Sequence, residues 1–548
     1  MKKYIFLVTA AVLLLSGCKS WLDINRSPNN AEKDLITSDY LLSACQYDIA
    51  NNHVNSTNAM MISHHLTKSG EYSGNYTYLN GLIMPQNQDS WWTTYYQILS
   101  NLGVIYEKAV QEDNDIYKGI SLTLTVLNYQ RLVDIFGNVP YSQACKPLEF
   151  SQPEYDDAAT IYNDLLVKMD EAITCLERAA SLNVIDPVLK KADIMCSGQP
   201  KQWLKFAYTI KLRVLMRMSN VKENEVKEQI AAIADKCLDI DEVIETNPGY
   251  YAEANKMNIF YQVYGWTINN AETTNRKQYM PTSELVDMLR NNNDPRLRVF
   301  IDPRTSLGDA PDGNSKYSKY GLENEYYVGI PYGQISPSRK QYTALTGTGL
   351  LAGGADKANG RLRGSTLITG AEVGFLLAEA ALRGIIPGGD PAAKAYYEAA
   401  VIASMKRHET AMKDPTEKYG IKGMRDPISG TAEEAARAFL DQDNDFVNWT
   451  KMSSAERKME AICSQKWLNF VGYNPLESWF EQRRTDYPLL KASNQGQKNK
   501  NVCRLPYPQT ERNLNEPNVS KQPEVDVYES LVFWDLVNPL VEKTELYL

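Results

Sequence analysis

The chain has 548 residues, with 58 Lys and Arg against 67 Asp and Glu and a formal net charge of −9. That dilute acidity leaves no basic surplus to meet phosphates, which excludes nucleic acid as an expected partner. After the N-terminal apolar run no second stretch of about 20 apolar residues occurs, so the body of the chain is expected to carry no membrane-spanning helix, and its length can bury a large core.

Lys2 and Lys3 precede an apolar run from Tyr4 to Leu15, the layout of a signal peptide. It ends in Leu15-Ser16-Gly17-Cys18, which resembles a bacterial lipobox, cut before the cysteine and acylated on it. We therefore expect a signal peptide over 1–17, lipidation (palmitate included) at Cys18, and a lipidated tether over 18–36. Several acyl chains, at about 0.8 kcal/mol per buried CH₂, would anchor the protein durably. An ordinary signal peptide with a chance cysteine is the alternative.

In chain order, a helix is expected from about Thr37 to Asn51, followed by a loop over 66–88 with Gly70, Gly74, Gly81 and Pro85 as punctuation. Apolar spacing predicts helices over Asp89–Val110 and Asp115–Phe136, the second stopped by Gly137 and Pro140, which together make a hairpin. Further helices are predicted over Tyr155–Ala180, Gln202–Met218 (opening at Pro200) and Glu223–Leu238. Lys205, Lys211, Arg213 and Arg217 on the second of these read as a solvated or acid-paired face. Residues 245–365 are broken by Gly, Pro and Asn, with one short helix at Ser283–Asn291. Of the 34 tyrosines, 11 lie between positions 250 and 342, and long aromatic loops on a rigid scaffold are where binding usually resides.

Helical pattern resumes at Thr366–Arg383, stopped by Gly384, and at Ala392–His408, with Asp390 as the expected cap and Pro391 at the first position. Alanines at 378, 380, 381, 395, 399, 400 and 403 would let the two helices approach closely, as in a tetratricopeptide unit. Ser453-x-x-Glu456 reads as a capping box for a helix to Val471, and Asn474-Pro475-x-Glu477 opens another through Arg484. Cys18 apart, seven cysteines without paired spacing argue for few or no disulfides. His53, His64, His65 and His408 lack zinc-site spacing, so no metal site is expected from them.

Several ordered motifs carry a resemblance. After the Leu-Ser-Gly-Cys box come Trp21-Leu22-Asp23-Ile24-Asn25, Trp92-x-x-x-Tyr96, Asp134-Ile135-Phe136-Gly137-Asn138, Trp203-Leu204-Lys205-Phe206-Ala207, Asn293-Asp294-Pro295-Arg296, Ala371-Glu372 to Glu379-Ala380, Gln465-Lys466-Trp467, Glu477-x-Trp479-x-x-x-Arg483-Arg484 and Arg504-Leu505-Pro506-Tyr507-Pro508. In this order they resemble SusD/RagB-type nutrient-binding lipoproteins of Bacteroidetes outer membranes, over nearly the whole chain. The resemblance implies a mainly α fold with about four tetratricopeptide-like hairpins and a large loop-rich region. It implies a single SusD-like domain over 37–548, with a helical scaffold at about 37–240 and 366–490, a loop-rich binding region at about 245–365 and a C-terminal segment at 491–548. It further implies surface exposure at the outer membrane and a SusC-like TonB-dependent transporter as partner, to which a captured nutrient, often an oligosaccharide and sometimes a peptide, is delivered.

Sugar rings offer apolar faces to aromatic side chains and hydroxyls to hydrogen-bonding groups, which suits the tyrosine-rich loops. The candidate ligand-binding residues are Tyr76 and Tyr78 in the first loop and Tyr264, Trp266, Tyr327 and Tyr332 in the middle region. For each the competing arrangement is a ring packed under its own loop. Trp91 and Trp92 read as core, and Arg339, Lys340, Arg361 and Arg363 as loop charges that could meet a hydroxyl-rich or anionic ligand. Asp441-x-Asp443-x-Asp445 opens like a calcium loop but has Phe446 and Met452 where the glycine and the glutamate belong, so bound calcium is weakly supported and no other cofactor is implied. Glu372 with Glu379, and Glu477 with Glu481, share helix faces; paired carboxylates admit a surface glycoside hydrolase as the alternative from another class. No nucleophile motif accompanies them, and Gly347, Gly349, Gly353 and Gly354 lack the rest of a phosphate loop. The expected function is non-enzymatic capture of an oligosaccharide, with a peptide or other nutrient as alternative ligand.

Overall fold

The computed structural model describes residues 36–54, 57–70, 77–182, 184–269, 271–302, 327–335, 342, 344–345, 357–413 and 428–545. Helices dominate. The long ones are α1 (Ser38–Val54), α2 (Asp89–Gln111), α3 (Asp115–Phe136), α4 (Ala158–Leu182), α5 (Pro200–Met218), α6 (Glu223–Ile233), α7 (Ser283–Asn291), α8 (Gly370–Leu382), α9 (Gly389–Lys406), α10 (Ala432–Leu440), α11 (Ala455–Asn469) and α12 (Pro475–Thr485). Neighbours in sequence pack together, α2 on α3, α3 on α4, α4 on α5, α8 on α9 and α11 on α12, as expected of tetratricopeptide-like hairpins. Among the described residues no helix is long and apolar enough to cross a membrane.

Local chemistry sets the ends of these helices. Asn114 caps α3 by accepting from the Tyr117 amide, and Gly137 ends it with φ +77°, its N–H donating to Val133 O at 2.8 Å. A side chain at position 137 would also meet the Arg504 guanidinium at 2.8 Å, so the stop and the docking of the C-terminal segment share one glycine. Between α8 and α9 the backbones come close enough that a Cβ on Gly374 would lie 2.9 Å from that of Ala400. Two expected caps move. Gly388, at φ +107°, opens α9, while Asp390 sits in its first turn and binds Trp449 Nε1 at 3.2 Å and Lys458 Nζ at 2.5 Å. Ser454 caps α11 in place of Ser453, accepting from the Arg457 amide at 3.1 Å.

Among the described residues the strands form four antiparallel pairs: β1 (Leu66–Lys68), β2 (Val139–Pro140), β3 (Tyr155–Asp156), β4 (Val243–Thr246), β5 (Tyr279–Pro281), β6 (Ile301–Asp302), β7 (Ala344–Leu345) and β8 (Ser365–Thr369) couple as β1–β5, β2–β3, β4–β8 and β6–β7. Two of them correct the helix starts expected at Tyr155 and Thr366, where β-branched and aromatic residues take the extended form before the helix begins. The middle region also holds more helix than expected, in short pieces at Ile259–Tyr264, Thr274–Gln278, Leu297–Phe300 and Lys357–Leu362. The C-terminal segment returns to α3: Leu505 N donates to Ile135 O at 3.1 Å, and Trp534 Nε1 to Asp134 Oδ1 at 2.7 Å. Cysteines 45, 145, 175, 196, 237, 463 and 503 are all free thiols.

At the centre of the scaffold lies a buried ion network. Arg217 on α5 donates to Glu477 and Glu481 on α12, and its Nε lies 3.3 Å from Asp134 on α3. Arg213, one turn earlier, meets Glu372 on α8 at 2.7 Å. Arg484 grips Glu379 through both terminal nitrogens, at 2.6 and 2.5 Å, and reaches Glu481 at 2.8 Å, while Lys466 on α11 also pairs with Glu481. Their side chains are at most 6% exposed, so each charge must be satisfied by another. Burial alone would raise the Glu379 carboxyl, but the Arg484 guanidinium outweighs it and holds it down to about 2. The charges on α5 are therefore acid-paired, Arg213 and Arg217 in the core and Lys205 and Lys211 with the exposed carboxylates of Asp239 and Asp170.

Removing one partner strands the other, so Arg217→Ala or Glu481→Ala should destabilise the fold by about 3–5 kcal/mol in urea unfolding. Lys205→Ala, which breaks an exposed pair with Asp239, should cost no more than about 1 kcal/mol; equal effects would show that the network is not what holds the helices. Asp535 gives a second measurement. It is 5% exposed, neither of its oxygens has a hydrogen-bond partner, and burial raises its carboxyl from 3.8 to about 7. A folded value above the unfolded one means that its protonated form contributes stability below 3.8, and that this contribution is lost as pH rises through about 7. Urea midpoints between about pH 4 and pH 8 should therefore fall less in Asp535→Asn than in the parent chain.

Candidate functional site

The loop-rich region is organised around β1 and β5. Leu66 faces Pro281 and Lys68 faces Tyr279 in an antiparallel pair. The turn before β1 is tied to the scaffold by Trp467 Nε1, which donates to Ser63 O at 2.9 Å, and by a 3.2 Å contact between Ser478 Oγ and His65 Nε2. Burial lowers the His65 imidazole to about 3, so it is neutral at this junction. Thr282, following β5, caps α7 and donates to His64 O at 2.5 Å, and it forms a parallel bridge with Ile330. β6 and β7 pair beside this, with Ile301 opposite Leu345, and Tyr342 OH donates to Gln334 Oε1 at 2.8 Å.

This frame encloses the aromatic rings singled out above. Tyr78 is 5% exposed, its hydroxyl donating to Gln88 Oε1 at 3.3 Å. Tyr264 is wholly buried, with its hydroxyl 3.0 Å from Thr57 Oγ1 and its ring against Phe260. Trp266 carries the Arg276 guanidinium 4.3 Å from its ring centre. Tyr332 is stacked on His64 with centroids 3.7 Å apart, and Tyr327 is buried while its carbonyl accepts from Arg290 Nη1 at 2.8 Å. In this conformation none of the five presents a free face to solvent. Tyr264 and Tyr332 reach partners distant in sequence, Thr57 and His64, which loop composition cannot reveal. Tyr76, Cys18, Arg339, Lys340 and the four glycines at 347, 349, 353 and 354 lie outside the described residues. Trp91 and Trp92 are buried in the core. Tyr251 is different: it is 60% exposed at the start of a turn closed by its amide, which donates to Lys256 O at 2.7 Å. Its position in the Tyr250-Tyr251 pair was legible, but which of the two rings turns outward was not.

Beside the frame, α7 forms one wall of an open cleft of about 510 Å³. Glu284, Asp287 and Asn291 line it from α7, Asn444 and Phe446 from the turn after α10, and Glu460 from α11. Glu284 also lies 4.0 Å from His64 Nδ1, so cleft and frame are continuous. Amides and carboxylates at the rim with Met288, Phe446 and Leu490 between them can meet both the hydroxyl edges and the apolar faces of a sugar ring.

The calcium-like stretch is used otherwise. Asp443 pairs with Lys451 at 2.9 Å and Asp445 with Arg457 at 3.0 Å, and no group of three or more His, Cys, Asp or Glu suited to a metal occurs among the described residues. The carboxylate pairs at 372 with 379 and 477 with 481 are the anions of the buried network. Each is buried and paired with a guanidinium group, where a glycosidase needs its carboxyls free at a substrate.

A family model described as starch-binding and associating with the outer membrane, SusD-like, matches residues 28–508. Among solved structures, a SusD homologue from Bacteroides fragilis is similar at 22% identity and TM-score 0.70, over 93% of this chain and 100% of its own. A SusD/RagB family protein from Bacteroides thetaiotaomicron gives 21% and 0.70, over 91% of this chain and 99% of its own. A chitin-binding SusD homologue from Flavobacterium johnsoniae gives 19% and 0.67, over 90% and 98% respectively. No curated relative matches the chain.

Proposed function

We propose that this chain, which belongs to the SusD-like family of outer-membrane-associated starch-binding proteins, captures an oligosaccharide at the cell surface and passes it, without chemical change, to a SusC-like TonB-dependent transporter. The observation that carries this is the family match over residues 28–508, joined to a mainly helical scaffold that holds an aromatic frame and an adjoining cleft of about 510 Å³. Hydroxyl-rich ligands need fixed donors and acceptors beside an apolar face, and Asn291, Asn444 and Phe446 supply both. Tyr251 is the proposed stacking residue, and Tyr76 is kept as a proposed contact. Tyr78, Tyr264, Trp266, Tyr327 and Tyr332 act from beneath, as the brace of the surface on which the ligand rests. A chitin-binding solved neighbour favours a glycan over a peptide. Acyl chains at Cys18 hold the protein to the membrane, with residues 18–36 as its tether.

A panel of neutral glycans and peptides, read by calorimetry together with product analysis, tests the reading. A glycan should bind and be recovered intact; turnover would make the protein a hydrolase, and binding of peptides alone would change its ligand class. Tyr251→Ala should weaken glycan binding by about 1–2 kcal/mol without shifting the unfolding midpoint. Cys18→Ala should move the protein from the membrane fraction to the soluble one while leaving ligand affinity as it was, and retention of that variant in membranes would remove the lipid anchor from the proposal.

A further inference from the structure

The segment that follows α12 separates two clefts. Asp486 ends the helix at φ +60°, a left-handed conformation that an aspartate tolerates better than most residues. Pro488, Leu489 and Leu490 line the cleft of about 510 Å³ described above, whereas Thr485 and Asp486 line a second, of about 340 Å³. Helix α11 divides in the same way, with Glu460 on the first cleft and Met459 on the second. Successive Cα atoms are about 3.8 Å apart, so the two clefts abut along one narrow ridge. The second alone falls within the range of small-molecule sites, about 300–1,000 Å³.

The cations of the second cleft are already engaged. Arg383 pairs with Glu379 at 3.0 Å and with Glu223 at 2.8 Å, Arg484 is held by Glu379, and Arg483 donates to Asp134 O at 2.7 Å. What remains open is a set of acceptors beside apolar side chains. Asp486, partly exposed, enters no hydrogen bond or ion pair among the described residues, and burial raises its carboxyl from 3.8 to about 6. Asn220, also partly exposed, donates through Nδ2 to Arg484 O at 2.7 Å, which leaves its Oδ1 without a partner. Leu536 and Val537 on the same cleft are 63% and 52% exposed, and Leu489 on the first is 62% exposed. Single apolar residues at a surface are ordinary, but a set gathered on both sides of one ridge marks a contact surface.

Tyr487 stands on that ridge, between Asp486 of one cleft and Pro488 of the other. Unlike the five rings of the frame it is only partly buried, and among the described residues its hydroxyl has no hydrogen-bond partner and its ring no aromatic or cationic one. Burial first, then Glu460, Cys463, Glu456 and Asp486, raise that hydroxyl, so carboxylates of both clefts lie near it and it stays a donor. A flat apolar face with a donor at its edge is what a sugar ring stacks on.

We infer that the second cleft is a further glycan subsite, and that one linear neutral oligosaccharide lies in both clefts at once, crossing the ridge over Tyr487. This rests on the glycan-binding reading above and names the substrate class more closely: a chain longer than a disaccharide. A single chain that fills both clefts makes its second contact intramolecularly, so length itself raises affinity.

Calorimetry on the purified full chain tests this with a disaccharide and a hexasaccharide from each of two series, chito-oligosaccharides and malto-oligosaccharides. In at least one series the hexasaccharide should bind at least about tenfold more tightly than the disaccharide. Tyr487→Ala and Leu536→Asp should each cut that advantage to less than about threefold, with the melting temperature of the parent chain. Should Tyr487→Ala fail to fold, Leu536→Asp carries the test, its side chain being largely in solvent. Equal affinity for both lengths, or a length advantage that survives in a folded variant, overturns the second subsite and leaves the glycan reading standing. Failure of every sugar at either length removes the glycan reading and this subsite with it.

Discussion

The scaffold depends on a bargain between burial and charge. Taking an arginine or a glutamate out of water costs several kcal/mol per ion, recovered only if the partners arrive in good geometry. Arg217 finds its partners on α12 and α3, Arg213 on α8, and Arg484 and Lys466 converge on Glu379 and Glu481. Five helices from distant parts of the chain must therefore be in register at once. A purely apolar core would tolerate sliding by a fraction of a turn, whereas this one does not. Asp134 extends the constraint outward, because it also receives Tyr162 OH and Trp534 Nε1 and so fixes where the C-terminal segment lands.

The short motifs that carry the family resemblance are largely the residues of this network and its immediate supports. Asp134, Glu372, Glu379, Lys466, Glu477, Arg483 and Arg484 all belong to them. Arg296, from another of those motifs, is buried as well, spanning Asp294 at 2.6 Å and Gln465 Oε1 at 2.5 Å. The resemblance is therefore one of scaffold, and it says less about what is bound than about how the binding surface is held.

Legibility in the sequence follows the same division. Asp115–Phe136 was readable to the residue because an asparagine cap and a positive-φ glycine mark its ends. The start of helix α9 lies two residues before the expected one, since Gly388 competes with Asp390 as a cap and only the Trp449 and Lys458 contacts decide where the aspartate goes. Apolar periodicity could not separate a solvated Arg213 and Arg217 from a buried, paired one, because both place the charges at helical spacing. At the candidate site the aromatic loops were visible as composition, but the stacking of Tyr332 on His64 and the bond of the Tyr264 hydroxyl with Thr57 are contacts between distant segments. Tyr251, whose ring does turn outward, differs from Tyr250 by no signal in the sequence.

The pairing of β4 with β8 joins Val243 to Thr369 and Thr246 to Ser365. The chain thus leaves the scaffold and re-enters it at adjacent points, with the whole loop-rich region strung between them. Closing a loop costs entropy that grows only with the logarithm of its length, about 0.6 kcal/mol for each doubling. The region between these strands is in that sense a cassette. Its loops can lengthen, shorten or be exchanged with little consequence for the helices beneath, which lets one scaffold serve many ligands while the ion network keeps its own geometry.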